Sequence, residues 1–80
     1  MKTIQFNNEV VVVPAETIID YLEYRKLGKE LEAAHSEGIF QAQYDFTQAI
    51  MIWVDNEPKL AGATFTDIAP ELEKMALDLI

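Results

Sequence analysis

The sequence predicts a mostly helical α+β fold in one small domain spanning residues 1–80. A short N-terminal β-hairpin (about 3–13) precedes three or four helices, at about 15–34, 39–55 and 67–79. Three observations carry this reading. Asn7-Asn8 separates two short β-prone runs; apolar residues then recur every three or four positions; and Pro14, Asp55-Asn56-Glu57-Pro58 and Pro70 punctuate that period.

The hairpin comes first. Thr3-Ile4-Gln5-Phe6 and Glu9-Val10-Val11-Val12-Val13 flank two asparagines, and Asn tolerates the left-handed backbone of a two-residue turn. Ile4 and Phe6 share one face, as do Val11 and Val13, while the four-valine run suggests that both faces of the second strand are covered. Pro14 ends the strand and suits a helix entrance, with Glu16 and Asp20 near the positive end of the helix dipole. Ile18, Ile19, Leu22, Leu27, Leu31 and Ala34 mark the apolar side of the first helix, and between Leu22 and Leu27 the stripe is held only by Tyr21, Tyr24 and the aliphatic stems of Arg25 and Lys26. Gly28 costs about 1 kcal/mol there relative to Ala, so the segment is either one helix or two shorter ones divided near Gly28.

His35-Ser36-Glu37-Gly38 reads as a turn. From Ile39 the period restarts through Ala42, Phe46, Ala49, Ile50 and Trp53, and Met51, Ile52 and Val54 make the end of this helix apolar nearly all round. Asp55-Asn56-Glu57-Pro58 stops it, and Lys59 to Ala63 form a connection. In the last helix Thr66 or Asp67 is the expected N-cap, which keeps Pro70 in the first turn, where a missing N–H breaks no bond. Phe65 stands ready to staple the entrance, and Ile68, Leu72, Met75, Ala76 and Leu79 form the buried stripe.

Composition narrows the function. Fourteen acids against six basic residues give a net charge of −8, which argues against nucleic acid and against an anionic membrane surface, since both demand clustered Lys and Arg. Half the residues are hydrophobic, well above the content of disordered acidic chains. With no cysteine there is no disulfide, thiolate metal site or thiol nucleophile. The opening Met1 to Asn8 carries one cation followed by polar residues where an export signal has its apolar stretch, so the expected location is the cytoplasm.

Chemistry is sparse, and the expectation is a protein that is not an enzyme and binds no cofactor or metal. His35, Ser36 and Glu37 are consecutive, whereas a hydrolytic triad converges from separated elements. A calcium loop beginning at Asp55 fails because its sixth position is Leu60, where Gly is required. The sole serine, Ser36, precedes Glu37, not the apolar residue that follows a carrier protein's phosphopantetheine serine. The three glycines are isolated, so no phosphate loop exists.

Two features point to protein binding. From Glu30 to Pro58 there are six acids (Glu30, Glu32, Glu37, Asp45, Asp55, Glu57) and no Lys or Arg, a pattern that keeps an apolar helix in solution or faces a basic partner. Within that stretch Tyr44, Met51, Ile52, Trp53 and Val54 include residue types common in interface hot spots; they are either core or a partner-binding surface.

The arrangement resembles the small tail assembly chaperones of long-tailed bacteriophages. The resemblance rests on the N-terminal hairpin of an acidic chain, the aromatic-rich helix ending Met51-Ile52-Trp53-Val54, and Thr64-Phe65-Thr66 opening a final acidic helix. Asp55 to Lys59 and Ala61-Gly62-Ala63 stand where that family commonly has a tighter turn. It implies a protein of the host cytoplasm that binds the tape-measure protein, keeps its long apolar helices soluble and recruits tail-tube subunits. A small acidic regulatory inhibitor or antitoxin-like protein that covers a basic surface is the competing reading. A homo-oligomer formed through the hairpin is the third.

Overall fold

Asn7 and Asn8 both take positive φ, 51° and 65°, the geometry of the tight turn that matches strand twist. In the computed structural model, which describes residues 2–79, they join β1 (Thr3–Phe6) to β2 (Glu9–Val12) in antiparallel register, with Ile4 opposite Val11 and Phe6 opposite Glu9. Two strands alone are marginal in water. Ile4, Val11 and Val13 therefore turn inward onto the helices and are at most 3% exposed. Only that face is covered, contrary to the reading of the valine run: Val10 and Val12 are about half exposed.

The helices α1 (Ala15–Ala34) and α2 (Glu37–Asn56) form the hairpin's helical counterpart, joined through His35 in the left-handed conformation and Ser36. The turn is shorter than composition suggests, because Glu37 and Gly38 already belong to α2. The first helix is continuous across Gly28. A β-carbon there would stand 2.9 Å from Gln43 Nε2, so the glycine sits where α2 approaches α1 closely.

A single 3₁₀ turn, Pro58–Leu60, leads to α3 (Phe65–Leu79), which starts earlier than expected. Thr64 is the cap: its hydroxyl accepts from the Asp67 N–H at 3.3 Å, while the Asp67 carboxylate accepts from the Thr64 N–H at 2.9 Å. Pro70 consequently lies in the second turn and not the first, leaving the Thr66 carbonyl without its usual donor. Both residues are exposed, so water can replace the missing bond. Phe65 staples the entrance in a different way, edge-on against Tyr24 with ring centroids 5.1 Å apart.

The core gathers the inward strand residues with Tyr21 from α1, Ile50 and Val54 from α2, Leu60 and Ala63 from the connection, and Ile68, Leu72, Met75 and Ala76 from α3. Two stripes shift from expectation. On α1 Tyr21 is buried as the stripe predicts, but Thr17 is buried too while Ile19 is 60% exposed, and Leu79 at the end of α3 is exposed. Among the described residues no helix is long and apolar enough to cross a membrane.

Candidate protein-binding surface

The core occupies one end of the α1–α2 pair. Every buried residue of α1 lies in its first two turns (Thr17, Tyr21) and every one of α2 in its last two (Ile50, Val54). Between Leu22 and Ala49 no side chain is buried: Leu27, Leu31, Ile39 and Phe46 are only partly covered. The far end of the pair therefore projects from the core in a molecule of 38 × 26 × 18 Å.

On this projection Phe40 is 58% and Tyr44 50% exposed. They are one helical turn apart, and Met51, about two turns beyond Tyr44, falls on the same flank at 3.6 residues per turn. The same end carries exposed charges of both signs, including Lys26 and Lys29. Glu30, Glu32, Glu37 and Asp45 are all exposed, and Asp45 is held by Gln41, whose Nε2 donates to it at 3.1 Å. Isolated apolar side chains on a surface are ordinary; two aromatics a turn apart on an uncovered helix pair are not.

The sequence-derived partner-binding residues do not form one patch. Tyr44 is exposed as required. Ile52, 65% exposed, lies on the side of α2 turned away from the core, while Met51 and Trp53 are half-buried and pack against it. Val54 is 1% exposed and belongs to the core, so it cannot meet a partner in this fold. Apolarity all round a helix end does not say which side is inward; α3 and the Pro58–Leu60 turn pack against α2, and Ile50 and Val54 are its buried residues. Phe40 follows Ile39 of the predicted apolar stripe, and no periodicity singles it out.

A polar cluster also escaped sequence reasoning. Glu73 of α3 accepts from the Tyr21 hydroxyl at 2.5 Å and from Arg25 Nε at 2.8 and 2.9 Å. The Tyr21 hydrogen bond, followed by those of Arg25, holds the Glu73 carboxyl below the ordinary glutamate range, although partial burial opposes it. The Tyr21 phenol moves well above its usual range, chiefly through burial and then through the bond to Glu73. These residues border a shallow groove of about 360 Å³ with Gly28, Lys29 and Gln43. No local signal could have revealed a cluster whose members are 48 and 52 residues apart. Its geometry is that of a latch fastening α3 to α1.

Among the described residues there is no group of three or more His, Asp or Glu side chains placed to hold a metal ion. Comparison with protein-family models, with curated proteins and with solved structures found no match.

Proposed function

We propose that this protein is a non-enzymatic chaperone of bacteriophage tail assembly, which holds the apolar helices of a tape-measure protein in solution in the host cytoplasm and recruits tail-tube subunits. The single observation that carries the proposal is the projecting end of α1 and α2, where Phe40 and Tyr44 stand exposed. An amphipathic helix laid along this flank of α2 would cover Phe40 and Tyr44. The acids keep the uncovered surface soluble and set copies apart.

Co-expression with a helical tape-measure segment tests it. The segment should pass into the soluble fraction with the wild-type protein and not with a Phe40→Ser/Tyr44→Ser variant of unchanged circular dichroism. A segment that stays insoluble beside the wild-type protein defeats the proposal.

The acidic-inhibitor reading draws on one observation of its own, the absence of Lys and Arg from Glu30 to Pro58. Salt separates the two. Apolar docking should change by less than about threefold between ionic strengths of about 0.05 and 0.5 M, whereas docking on a basic surface should weaken steeply.

A further inference from the structure

We infer that the free edge of β2 is an interface for a second copy of this chain, pairing antiparallel about Val11, and that Lys59 competes for it. The inference does not rest on the chaperone reading. In the hairpin the directly bonded pairs are Phe6 with Glu9 and Ile4 with Val11, and the pattern continues with the Val13 N–H on the Lys2 carbonyl at 2.9 Å. The N–H and C=O groups of Val10 and Val12 therefore point away from β1. One contact verifies this direction independently: Lys59 Nζ donates to the Val10 carbonyl at 3.2 Å from outside the sheet, in an exposed position.

The outward groups are self-complementary. A two-fold axis at Val11 sets Val10 opposite Val12 of the second copy and Val12 opposite its Val10. Each such pair exchanges both of its hydrogen bonds, so all outward groups of both strands are used with none left over. Side chains agree with that register. Val10 and Val12, 52% and 49% exposed, meet their counterparts on the outer face, while Val11, 1% exposed, stays on the core side. Glu9 falls opposite Val13 of the other copy and not opposite its own counterpart, so no like charges oppose each other across the seam.

Lys59 stands where the incoming N–H would go. A lysine over an edge carbonyl restrains edge-to-edge pairing, and the net charge of −8 on each copy opposes it further. Self-association should therefore be weak, stronger in salt, and stronger still without Lys59.

Sedimentation of the full chain tests this at low and raised salt. The wild-type protein should show a monomer–dimer equilibrium whose dissociation constant falls as salt rises, and Lys59→Ala should lower that constant by roughly threefold or more. Val12→Pro removes an outward N–H that β1 does not use and should leave a monomer with unchanged circular dichroism. Val12→Glu, on the exposed face, provides the same readout should the proline variant fail to fold. The proposal is overturned if the wild-type protein and the Val12 variants sediment alike, whether all as monomers or all as dimers. It is equally overturned if the wild-type chain stays monomeric and the edge takes only a strand of another protein.

Discussion

Arg25 sets its Nε between the two carboxylate oxygens of Glu73, at 2.8 and 2.9 Å, and so ties the middle of α3 to α1 across 48 residues of sequence. The arginine side chain is 17% and the glutamate 39% exposed, so water screens the pair and charge attraction alone is worth little. Geometry adds to it. The same carboxylate also receives the hydroxyl of Tyr21, a residue 3% exposed, which makes Glu73 the shared acceptor of two side chains one turn apart on α1.

Glu73 therefore gives stability an acid limb. Its carboxyl is depressed in the folded state, so its contribution is complete above the ordinary value of 4.5 and is lost as pH falls through the lower folded value. The thermal midpoint of the wild-type protein should fall as pH drops below about 4.5, and Glu73→Gln should flatten that limb while lowering the midpoint at pH 7. Thermal scans by circular dichroism across this range check it. Equal slopes in the two proteins would remove Glu73 from the account.

Tyr21 supplies the alkaline counterpart. Its folded phenol is raised by burial and by Glu73, so its stabilisation is present below the unfolded value of 10.0 and is lost as pH climbs beyond it. Tyr21→Phe deletes the donor and should cost about 1.5–3 kcal/mol at pH 7, typical for a hydrogen bond to a charged group. In exchange it should lose this residue's share of the decline above pH 10. Urea titrations at neutral and alkaline pH measure both effects.

Gly28 should tolerate alanine. A glycine inside a helix is worth about 1 kcal/mol less than Ala, and the atom that a new β-carbon would crowd is the tip of Gln43, a flexible side chain. Moving it breaks a long bond from Gln43 Nε2 to the Tyr24 carbonyl, 3.4 Å, whose loss is small. Gly28→Ala should therefore raise stability by roughly 0.5 kcal/mol, read from urea midpoints of the two proteins. A destabilised alanine variant would show that Gln43 has nowhere to go.

These residues mark how far the sequence could be read. The Asn7-Asn8 turn, the strand alternation at Ile4 and Val11, and the stripe of Ile68, Leu72 and Met75 were legible because short-range chemistry and periodicity determine them. Where two local choices were both reasonable, the fold decided. Thr64 outcompeted Thr66 and Asp67 as the cap because Asp67 could return the hydrogen bond, and Ile19, on the apolar stripe of α1 by its spacing, stays exposed. Contacts such as Arg25–Glu73 leave no local trace. Exposure along α2 was not legible: Tyr44 is half exposed, whereas Val54 is drawn into the core by elements far away in sequence.

Asp20 works against the folded state. Its carboxyl is raised, first by desolvation and then by Glu16, one turn earlier on the same face of α1. A raised acid favours the folded protein only while protonated, so at neutral pH its charge is a penalty. Asp20→Asn should gain roughly 0.2–0.5 kcal/mol, the size of a like-charge pair four residues apart, and the gain should shrink in high salt. Chemical denaturation at two ionic strengths checks both the sign and the salt dependence.

Ile52 and Trp53 are adjacent on α2 yet should respond oppositely to truncation. Trp53 is half-buried and packs on the core, so Trp53→Ala should lose cooperative stability, somewhat less than the ~3–5 kcal/mol of a fully buried aromatic. Even that loss is serious in a domain of this size, for which about 4–12 kcal/mol is the total to expect. Ile52 is 65% exposed and turned outward, so Ile52→Ala should alter stability by no more than about 0.5 kcal/mol. Any loss of partner capture in the Ile52 variant would then report on the surface alone, whereas the same loss at Trp53 would report on folding. Urea midpoints for the two proteins separate these cases, and a strongly destabilised Ile52→Ala would mean that this side of α2 is covered in solution.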